Sequence, residues 1–476
     1  MADTIAAIAT AAGAGGVGII RISGPDAELV LRRVAPGLPA VVESHRLTLA
    51  RVVLAGQVVD QALVVLMRAP RSYTGEDVAE VHAHGGAVHL GRLLEGVLAA
   101  GARAAGPGEF TRRAFAAGRI DLTRAEAVAD LVAAEGERAV RVAAAQLAGG
   151  LERRVRGLRA EVVALLAEVE ATIDFPGEGL ELIERGELSR RAGLVAAGAR
   201  ALAQSFRVGR VLRDGLEVAL VGAPNAGKSS LLNALVGRER AVVSAEPGTT
   251  RDFVEARVSW AGAAVTLIDT PGEREVGGVE GRALELARVR AEQADVRVVV
   301  VDASAGAGGV GVGVGANRRQ VTGDRGQAPG HEGGSGGSGG SGGGEGRAEV
   351  VVLNKCDVVG EAERALMRER VGAAVEVSAL TGAGLGELVE AVLGAVGVAE
   401  GGGDETVVVT SARQAELLAG CAVAATAASE GAARGAHEEL VAADLRAALV
   451  ALSAVLGEGV GEDVIDAVFA RFCIGK

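Results

Sequence analysis

The chain has 476 residues, enough for about three domains, and a formal net charge of −12. That charge argues against a protein that coats nucleic acid non-specifically. Aromatic residues make up only 2% of the chain, so Val, Leu and Ala must build most of its cores. The three cysteines show no metal-ligand spacing, and there is neither a signal-peptide pattern nor an apolar run of about 20 residues. We therefore expect a cytoplasmic protein without a membrane span.

The first 118 residues predict an α+β domain. Val- and Ile-rich runs bounded by Gly, Pro and Asp are typical of strands, and they occur in VGIIRISG, RLTLARVVL, QALVVLMRAP and EDVAEVHAHGG. The segment HLGRLLEGVLAAGAR has helical spacing instead, and its helix is expected to end at Gly101.

Two stretches that are distant in sequence predict helices. Residues 119–213 and 399–476 are rich in Ala, Leu, Glu and Arg, with apolar residues at spacings of three and four. Because a domain closes best when its pieces meet, we expect the two stretches to form one split helical domain. The basic cluster LERRVRGLR in the first stretch is interpreted as a solvated helix face, with RNA binding as the less favoured alternative.

Residues 214–398 alternate strand and helix patterns and predict an inserted α/β domain that begins with the buried strand GLEVALVG. A Gly- and Ser-rich stretch over residues 306–347 cannot bury enough apolar surface to offset its ordering entropy. We predict that it is a disordered loop between the strands VRVVVVDAS and AEVVVLNKCD.

The inserted domain carries a phosphate-binding loop. The segment GAPNAGKSS follows a predicted strand, opens a predicted helix and fits the pattern G-x-x-x-x-G-K-[ST]. Backbone N–H groups of such a turn face phosphates, Lys228 adds a positive charge near the β- and γ-phosphates, and the Ser229 hydroxyl can bind Mg²⁺.

Further motifs follow at the ends of later predicted strands. In LIDTPG, Asp269 can hold the metal through water and the N–H of Gly272 can sense the γ-phosphate. In VVVLNKCD, Asp357 can accept hydrogen bonds from N1–H and the 2-amino group of guanine, which adenine does not offer. Ser378 and Ala379 in EVSALTG could close over the base. Motifs in this order at strand ends predict a GTPase.

The attacking water has no obvious glutamine partner in the sequence. Between the first two motifs, Thr249 or Thr250 can supply a second hydroxyl ligand to Mg²⁺. After DTPG, composition leaves three carboxylates open as water-orienting groups: Glu273, Glu275 and Glu280.

The C-terminus FCIGK contains a cysteine at the fourth position from the end. Gly475 and Lys476 do not fit a prenylation signal, so a lipid anchor is not expected. The residues alone leave two interpretations of Cys473, a buried apolar side chain or a reactive thiol.

Nearly the whole chain resembles the MnmE or TrmE family of tRNA-modifying GTPases. The resemblance is carried by the segments DTIAAIAT, GGVGIIRISGP, SYTGEDVAEVHAHGG, GEFTRRAF, GRIDLTRAEAVADL, IDFPGE, GAPNAGKSSLLNAL, PGTTRD, DTPG, NKCD and FCIGK. It implies a multidomain α/β and α+β fold with an N-terminal folate-binding-like domain, a split central helical domain and an inserted Ras-like P-loop GTPase domain.

The resemblance implies a GTP site spread over five segments of the inserted domain. Its expected residues are Asn225, Ala226, Gly227, Lys228, Ser229, Ser230, Ser244, Ala245, Glu246, Pro247, Gly248, Thr249, Thr250, Asp269, Thr270, Pro271, Gly272, Asn354, Lys355, Cys356, Asp357, Ser378, Ala379 and Leu380.

The resemblance also implies two metal ions and a catalytic carboxylate. Mg²⁺ would be bound by Ser229 and Thr250. A K⁺ ion, on which hydrolysis would depend, is expected at Asn225, Ser244, Glu246 and Thr249. The family's water-orienting glutamate aligns with Glu280.

Family resemblance further implies that the chain is a homodimer and forms a heterotetramer with an FAD-containing partner, MnmG or GidA. Together they would modify C5 of uridine 34 in tRNA with a one-carbon unit from 5,10-methylene- or 5-formyl-tetrahydrofolate, giving a carboxymethylaminomethyl-type product. The folate contacts map to Arg21, Glu80, Arg119 and Lys476, and CIGK becomes a mobile tail that brings Cys473 to the folate as a catalytic candidate.

Two other functions fit parts of the sequence. The GTPase motifs alone would permit a GTP switch that binds RNA or a ribosome-assembly intermediate without modification chemistry. A folate-dependent one-carbon transferase with a regulatory GTPase is the second alternative. The 118-residue N-terminal domain and the terminal cysteine argue against a pure switch.

Overall fold

The structure is a computed structural model that describes residues 3–174, 184–238, 255–270, 289–308, 348–372, 374–398 and 407–476. It contains two compact units. The first comprises Met1–Ala133, Ala143–Ala203 and Ser411–Lys476, and the second comprises Ala134–Val142 and Gln204–Thr410. No helix among the described residues is long and apolar enough to cross a membrane.

The first unit begins with a six-stranded sheet in the order β3-β4-β5-β2-β1-β6. Neighbouring strands are antiparallel except β1 and β6. The strands are β1 (Ile5–Ile8), β2 (Val17–Ser23), β3 (Thr48–Leu54), β4 (Gln57–Met67), β5 (Val78–His84) and β6 (Arg103–Ala104).

Two helices, α1 (Ala27–Val34) and α2 (Ala87–Ala99), cover this sheet. Their buried Leu and Val side chains join those of the strands in one apolar core. The strands and the helix predicted for the first 118 residues are confirmed, and α2 ends just before Gly101.

Helices from both ends of the chain complete the first unit. They are α3 (Glu109–Ala116), α4 (Leu122–Ala133), α6 (Gly150–Asp174), α7 (Arg185–Gln204), α12 (Ala412–Arg434), α13 (Glu438–Leu456) and α14 (Glu462–Phe469). Helix α5 (Glu137–Leu147) lies between α4 and α6 in the chain, and its residues are divided between the two units. Helix α13 packs against both α12 and α6, so the two sequence-distant helical stretches meet.

A buried carboxylate joins the two stretches. Glu126 on α4 accepts hydrogen bonds from Ser411 Oγ at 3.0 Å, Arg413 Nη2 at 2.8 Å and Gln414 Nε2 at 2.5 Å. Three arginines of the basic cluster on α6, Arg153, Arg154 and Arg156, are exposed, and Arg156 and Arg159 pair with Glu458. This agrees with its interpretation as a solvated helix face.

The second unit is built on a six-stranded sheet in the order β12-β11-β10-β7-β9-β8. All neighbours are parallel except β8 and β9. Its strands are β7 (Leu216–Val221), β8 (Glu255–Trp260), β9 (Ala263–Asp269), β10 (Val296–Asp302), β11 (Ala348–Asn354) and β12 (Val375–Glu376). Its helices are α8 (Phe206–Asp214), α9 (Lys228–Arg238), α10 (Glu361–Val371) and α11 (Leu385–Ala395), with a short 3₁₀ helix at Ala303–Gly308.

Helix α8 belongs to the second unit although it lies within the predicted helical stretch 119–213. Val211 and Leu212 on α8 are buried in the core of the second unit, and so is Val142. An amphipathic pattern predicts that a face is buried but not which core receives it. The four-part domain division from sequence stays a prediction.

The two ends of the longer segment of the second unit, Gln204–Thr410, lie next to each other. The N–H of Val409 donates to Ser205 Oγ at 3.0 Å, and a Cβ on Gly209 would lie 2.0 Å from the carbonyl oxygen of Val409. Within this unit β10 and β11 are parallel neighbours, as their patterns predict, but residues 309–347 of the predicted disordered loop lie outside the described residues. The predicted mixed fold class is confirmed.

Candidate functional site

The phosphate-binding loop connects the end of β7 to the start of α9. Gly227 has φ +90°, and a Cβ at this position would lie 2.3 Å from Asn354 Nδ2. Glycine is therefore required both by the backbone conformation and by the close approach of the Asn354 side chain.

Lys228 is held inside the loop by its own backbone. The residue is 7% exposed, and its Nζ donates to the carbonyl oxygens of Gly222 at 2.8 Å and Ala223 at 3.0 Å. Burial lowers the pKa of the ammonium group, although the negative charge of Asp269 acts to raise it. A phosphate would provide a better counter-charge than two carbonyl dipoles.

Ser229 and Asp269 form a pair of oxygens that fits Mg²⁺. The Ser229 hydroxyl donates to Asp269 Oδ2 at 2.6 Å. Asp269 Oδ1 is buried and has no hydrogen-bond partner among the residues that the structure describes. A buried carboxylate oxygen without a partner is costly, and a divalent cation or its water would satisfy it. The neighbouring Thr270 is fixed by its hydroxyl, which donates to the Leu220 carbonyl at 2.6 Å.

Asn354, at the end of β11, connects the loop after β12 to the phosphate loop. It is 1% exposed, its Nδ2 donates to the Ala226 carbonyl at 2.9 Å, and its Oδ1 accepts from the N–H of Ala379 at 3.2 Å. Lys355 continues this connection, because Nζ donates to the carbonyl of Asn225 at 3.0 Å. The two NKCD residues thus hold two consecutive carbonyl groups of the phosphate loop.

Asp357 lines an open cleft of about 570 Å³. Ser378 and Thr381 lie on its wall, and the Ser378 hydroxyl accepts from the N–H of Thr381 at 3.1 Å. Leu380, between them in sequence, is exposed. Cys356 turns its thiol toward the Leu353 carbonyl at 3.1 Å, and burial raises the pKa of that thiol. This cleft is where the sequence predicts guanine.

Several predicted site residues lie outside the described residues. They are Ser244, Ala245, Glu246, Pro247, Gly248, Thr249 and Thr250, together with Pro271, Gly272 and the carboxylates Glu273, Glu275 and Glu280. Asn225 and Ser230 are described, and both are exposed on the phosphate loop and the first turn of α9.

A second cluster of predicted residues lies in the first unit around Arg21. Its Nε donates to Glu80 Oε1 at 2.8 Å, and its guanidinium lies 5.7 Å from the ring centroids of both Tyr73 and Phe110. His82 Nε2 is 3.0 Å from the other oxygen of Glu80. Tyr73 and Phe110 are contacts of Arg21 that the sequence did not indicate, because only the fold brings them together; His82 contacts Glu80 from two residues away on β5.

The C-terminal tail is docked beside this cluster. Ile474 forms a bridge with Pro107, the N–H of Gly108 donates to the Cys473 carbonyl at 3.4 Å, and the N–H of Phe110 donates to the Lys476 carbonyl at 3.2 Å. These backbone hydrogen bonds hold the tail against the N-terminal domain in this structure, and its expected mobility stays a prediction.

Gly475 allows this docking. It has φ +99°, and a Cβ would lie 2.2 Å from the carbonyl oxygen of Ile8. The Gly475 carbonyl lies 3.5 Å from Arg21 Nη1, so the tail joins the Arg21 cluster. The Cys473 thiol is free and exposed, and Arg119 is also exposed, with its side chain beside Gly75.

Comparisons with known proteins cover the whole chain. The family model described as GTP-binding protein TrmE N-terminus matches residues 4–119, and the model described as MnmE helical domain matches residues 122–473. A tRNA modification GTPase MnmE from Symbiobacterium thermophilum is 42% identical over 100% of this chain and 99% of its own length.

Two other relatives carry the same name. The one from Chloroflexus aurantiacus is 42% identical over 100% of both chains, and the one from Myxococcus xanthus is 43% identical over 99% of both. With this identity over the full length, and with motif residues of a GTPase at the ends of β7, β9 and β11, the chain is a member of the MnmE family of tRNA modification GTPases.

Proposed function

We propose that this chain binds GTP between its phosphate loop and the cleft at Asp357, and that it hydrolyses GTP during tRNA modification. The observation that carries the site is the buried Oδ1 of Asp269, which has no partner in the described structure and belongs to a carboxylate whose Oδ2 accepts from the Ser229 hydroxyl. Lys228, held by two backbone carbonyls, supports phosphate binding at the same place.

Two metal sites belong to this proposal. Mg²⁺ would be held by Ser229 and Thr250, with Asp269 acting through water. K⁺ would be held by Asn225 with Ser244, Glu246 and Thr249. Support for the second site is limited to Asn225, which has φ +65° and is exposed on the phosphate loop.

Glu280 is the proposed water-orienting group for hydrolysis. The support is the family to which the chain belongs, since Glu280 lies outside the described residues. If K⁺ contributes to hydrolysis, GTP turnover will rise steeply in potassium over sodium. Equal rates in the two salts would remove Asn225 from its proposed role.

The first unit is the proposed modification site. Arg21, Glu80, Arg119 and Lys476 would bind 5,10-methylene- or 5-formyl-tetrahydrofolate, an anion that the cations of this set complement. The docked tail supports the proposal, because it brings Gly475 to Arg21 and holds Cys473 nearby with a free, exposed thiol. The chemical role of Cys473 is part of the proposal.

A homodimer, acting with an FAD-containing MnmG or GidA partner as a heterotetramer, completes the proposed assembly. The dimer is supported by a pair of exposed leucines: Leu49 and Leu63 are opposite each other on β3 and β4 and are 67% and 42% exposed. Large exposed apolar side chains that adjoin one another are typical of interfaces. Replacing both with glutamate should give monomers in light scattering. If the variant is still a dimer, the interface lies on another surface.

The deciding experiment is nucleoside analysis of tRNA from a strain that lacks this protein, complemented with variants. We expect C5-modified wobble uridine to be lost without the protein and restored by the unaltered chain. Cys473→Ser should retain GTP hydrolysis but fail to restore the nucleoside. Normal modification in the deletion strain would contradict the proposed function. Full restoration by Cys473→Ser would contradict a chemical role for this cysteine.

A further inference from the structure

Asp302, which no motif of the sequence analysis includes, lies at the carboxyl end of β10. It is opposite Asn354 in the parallel register of β10 and β11. Both of its carboxylate oxygens have partners: Oδ1 accepts from the N–H of Ser304 at 2.8 Å and from the Ser304 hydroxyl at 2.6 Å, and Oδ2 accepts from Lys355 Nζ at 2.6 Å. The side chain of Asp302 is 18% exposed.

The partner of this carboxylate, Lys355, is the lysine of the NKCD motif. Its backbone is in the left-handed region, with φ +64°, which aims the side chain back across the loop. The same ammonium group also donates to the carbonyl of Asn225, which has φ +65° itself. Asp302, Lys355 and Asn225 therefore form a continuous chain of contacts from a strand end to the phosphate loop.

We propose that Asp302 is a positioning residue for guanine-nucleotide binding, which acts by holding Lys355 against the phosphate loop. A lysine side chain has several rotatable bonds and donates in three directions, so a single carbonyl does not fix it. The carboxylate does, because Ser304 fixes its orientation with two hydrogen bonds. This inference rests on the proposed nucleotide site.

The consequence concerns how long a nucleotide stays bound. With Lys355 held, the loop that reads the base and the loop that binds phosphates are connected at Asn225 as well as at Ala226. Releasing Lys355 leaves Asn354 as the remaining described side-chain connection from NKCD to the phosphate loop. A looser pair of loops opens more often, and this raises the dissociation rate more than the association rate.

The test measures dissociation of a fluorescent methylanthraniloyl GDP from the full-length chain. Asp302→Ala should speed dissociation about tenfold, equivalent to ~1.4 kcal/mol. Asp302→Asn keeps the shape and should give a smaller increase in the same direction, so it decides the matter if the alanine variant does not fold. The matched control is Glu349→Ala, which removes a carboxylate paired with Arg297 at 3.1 Å at the other end of the same two strands. It should leave the rate unchanged.

A double-mutant cycle with Lys355→Ala separates positioning from general stability. If Asp302 acts through Lys355, Asp302→Ala should add less than about twofold when Lys355 is already alanine. An equal effect in both backgrounds, or dissociation at the unaltered rate in Asp302→Ala, would overturn the inference. Failure of the proposed site itself would look different, because the unaltered chain would then not retain guanine nucleotides.

Discussion

Replacing Gly475 with alanine should release the C-terminal tail from the N-terminal domain. At φ +99° a residue with a Cβ is strained, at a cost of about 1–3 kcal/mol. The added carbon would also lie 2.2 Å from the Ile8 carbonyl oxygen, a separation that backbone atoms do not tolerate. Strain and clash together should cost about 3 kcal/mol, which shifts the balance between docked and undocked tail roughly 100-fold.

The assay is removal of Lys476 by a carboxypeptidase that is specific for basic residues, followed by mass spectrometry. In the docked tail, the carbonyls of Cys473 and Lys476 accept backbone hydrogen bonds, so the enzyme must wait for undocking. When docking is fast relative to cleavage, the release rate follows the undocked fraction. Gly475→Ala should therefore lose Lys476 far faster than the unaltered chain.

A matched control places a glycine-to-alanine change at positive φ outside the tail. Gly459 also has a positive φ, +71°, but a Cβ there would meet nothing within 4 Å. Gly459→Ala should leave Lys476 protected, because any strain falls outside the tail. If Gly475→Ala releases Lys476 no faster than this control, the tail is not held by the close packing of Gly475, and the reasoning is refuted.

Three further predictions concern other parts of the molecule. Asp357→Asn should shift preference from GTP toward xanthosine nucleotides, measured by competition binding; unchanged GTP affinity would contradict guanine recognition in this cleft. Glu126→Ala should lower the stability of the first unit by about 3 kcal/mol, seen by calorimetry, because it leaves the half-buried Arg413 without its carboxylate. Burial favours a higher pKa for Asp60, but hydrogen bonds from the backbone of His84 and from the side chains of His89 and His84 lower it to about 2. Since the folded pKa lies below the ordinary value, the stability from this carboxylate is full above about pH 4 and is lost as the pH falls toward 2. In urea unfolding, the difference in free energy of unfolding between the unaltered chain and Asp60→Asn should shrink over that pH range. A difference that stays constant would contradict the lowered pKa of Asp60.

The phosphate and base motifs were predictable because sequence order determines their placement. Lys228, Asp269 and Asn354 each lie at or just beyond the end of a parallel strand, and parallel strands bring such ends to one edge of a sheet. A strand pattern followed by a motif was therefore enough to predict that these residues share a site.

The tail and the Arg21 cluster could not be predicted in the same way. Their contacts join residues far apart in the chain, such as Arg21 with Gly475 or Gly475 with Ile8, and neither periodicity nor spacing encodes such pairs. The docking of the tail on Pro107, Gly108 and Phe110 was not predicted for this reason. Likewise Asp302 looks like an ordinary strand end until the structure shows Lys355 beside it.

The meeting of Ser205 with Val409 has a consequence for protein engineering and for folding. A segment whose two ends lie together can be excised and expressed alone without a change in the course of its backbone, as natural domain insertions indicate. Residues 204–410 supply most of the second unit, but Ala134–Val142 also belongs to it, so we expect this excised segment to fold alone with lower stability than the complete unit. The host helices, by contrast, must close a loop of that length before α13 can pack on α6, unless the insert folds first and brings its own ends together. Early folding of the insert would thus remove most of the entropic barrier to completing the helical part of the molecule.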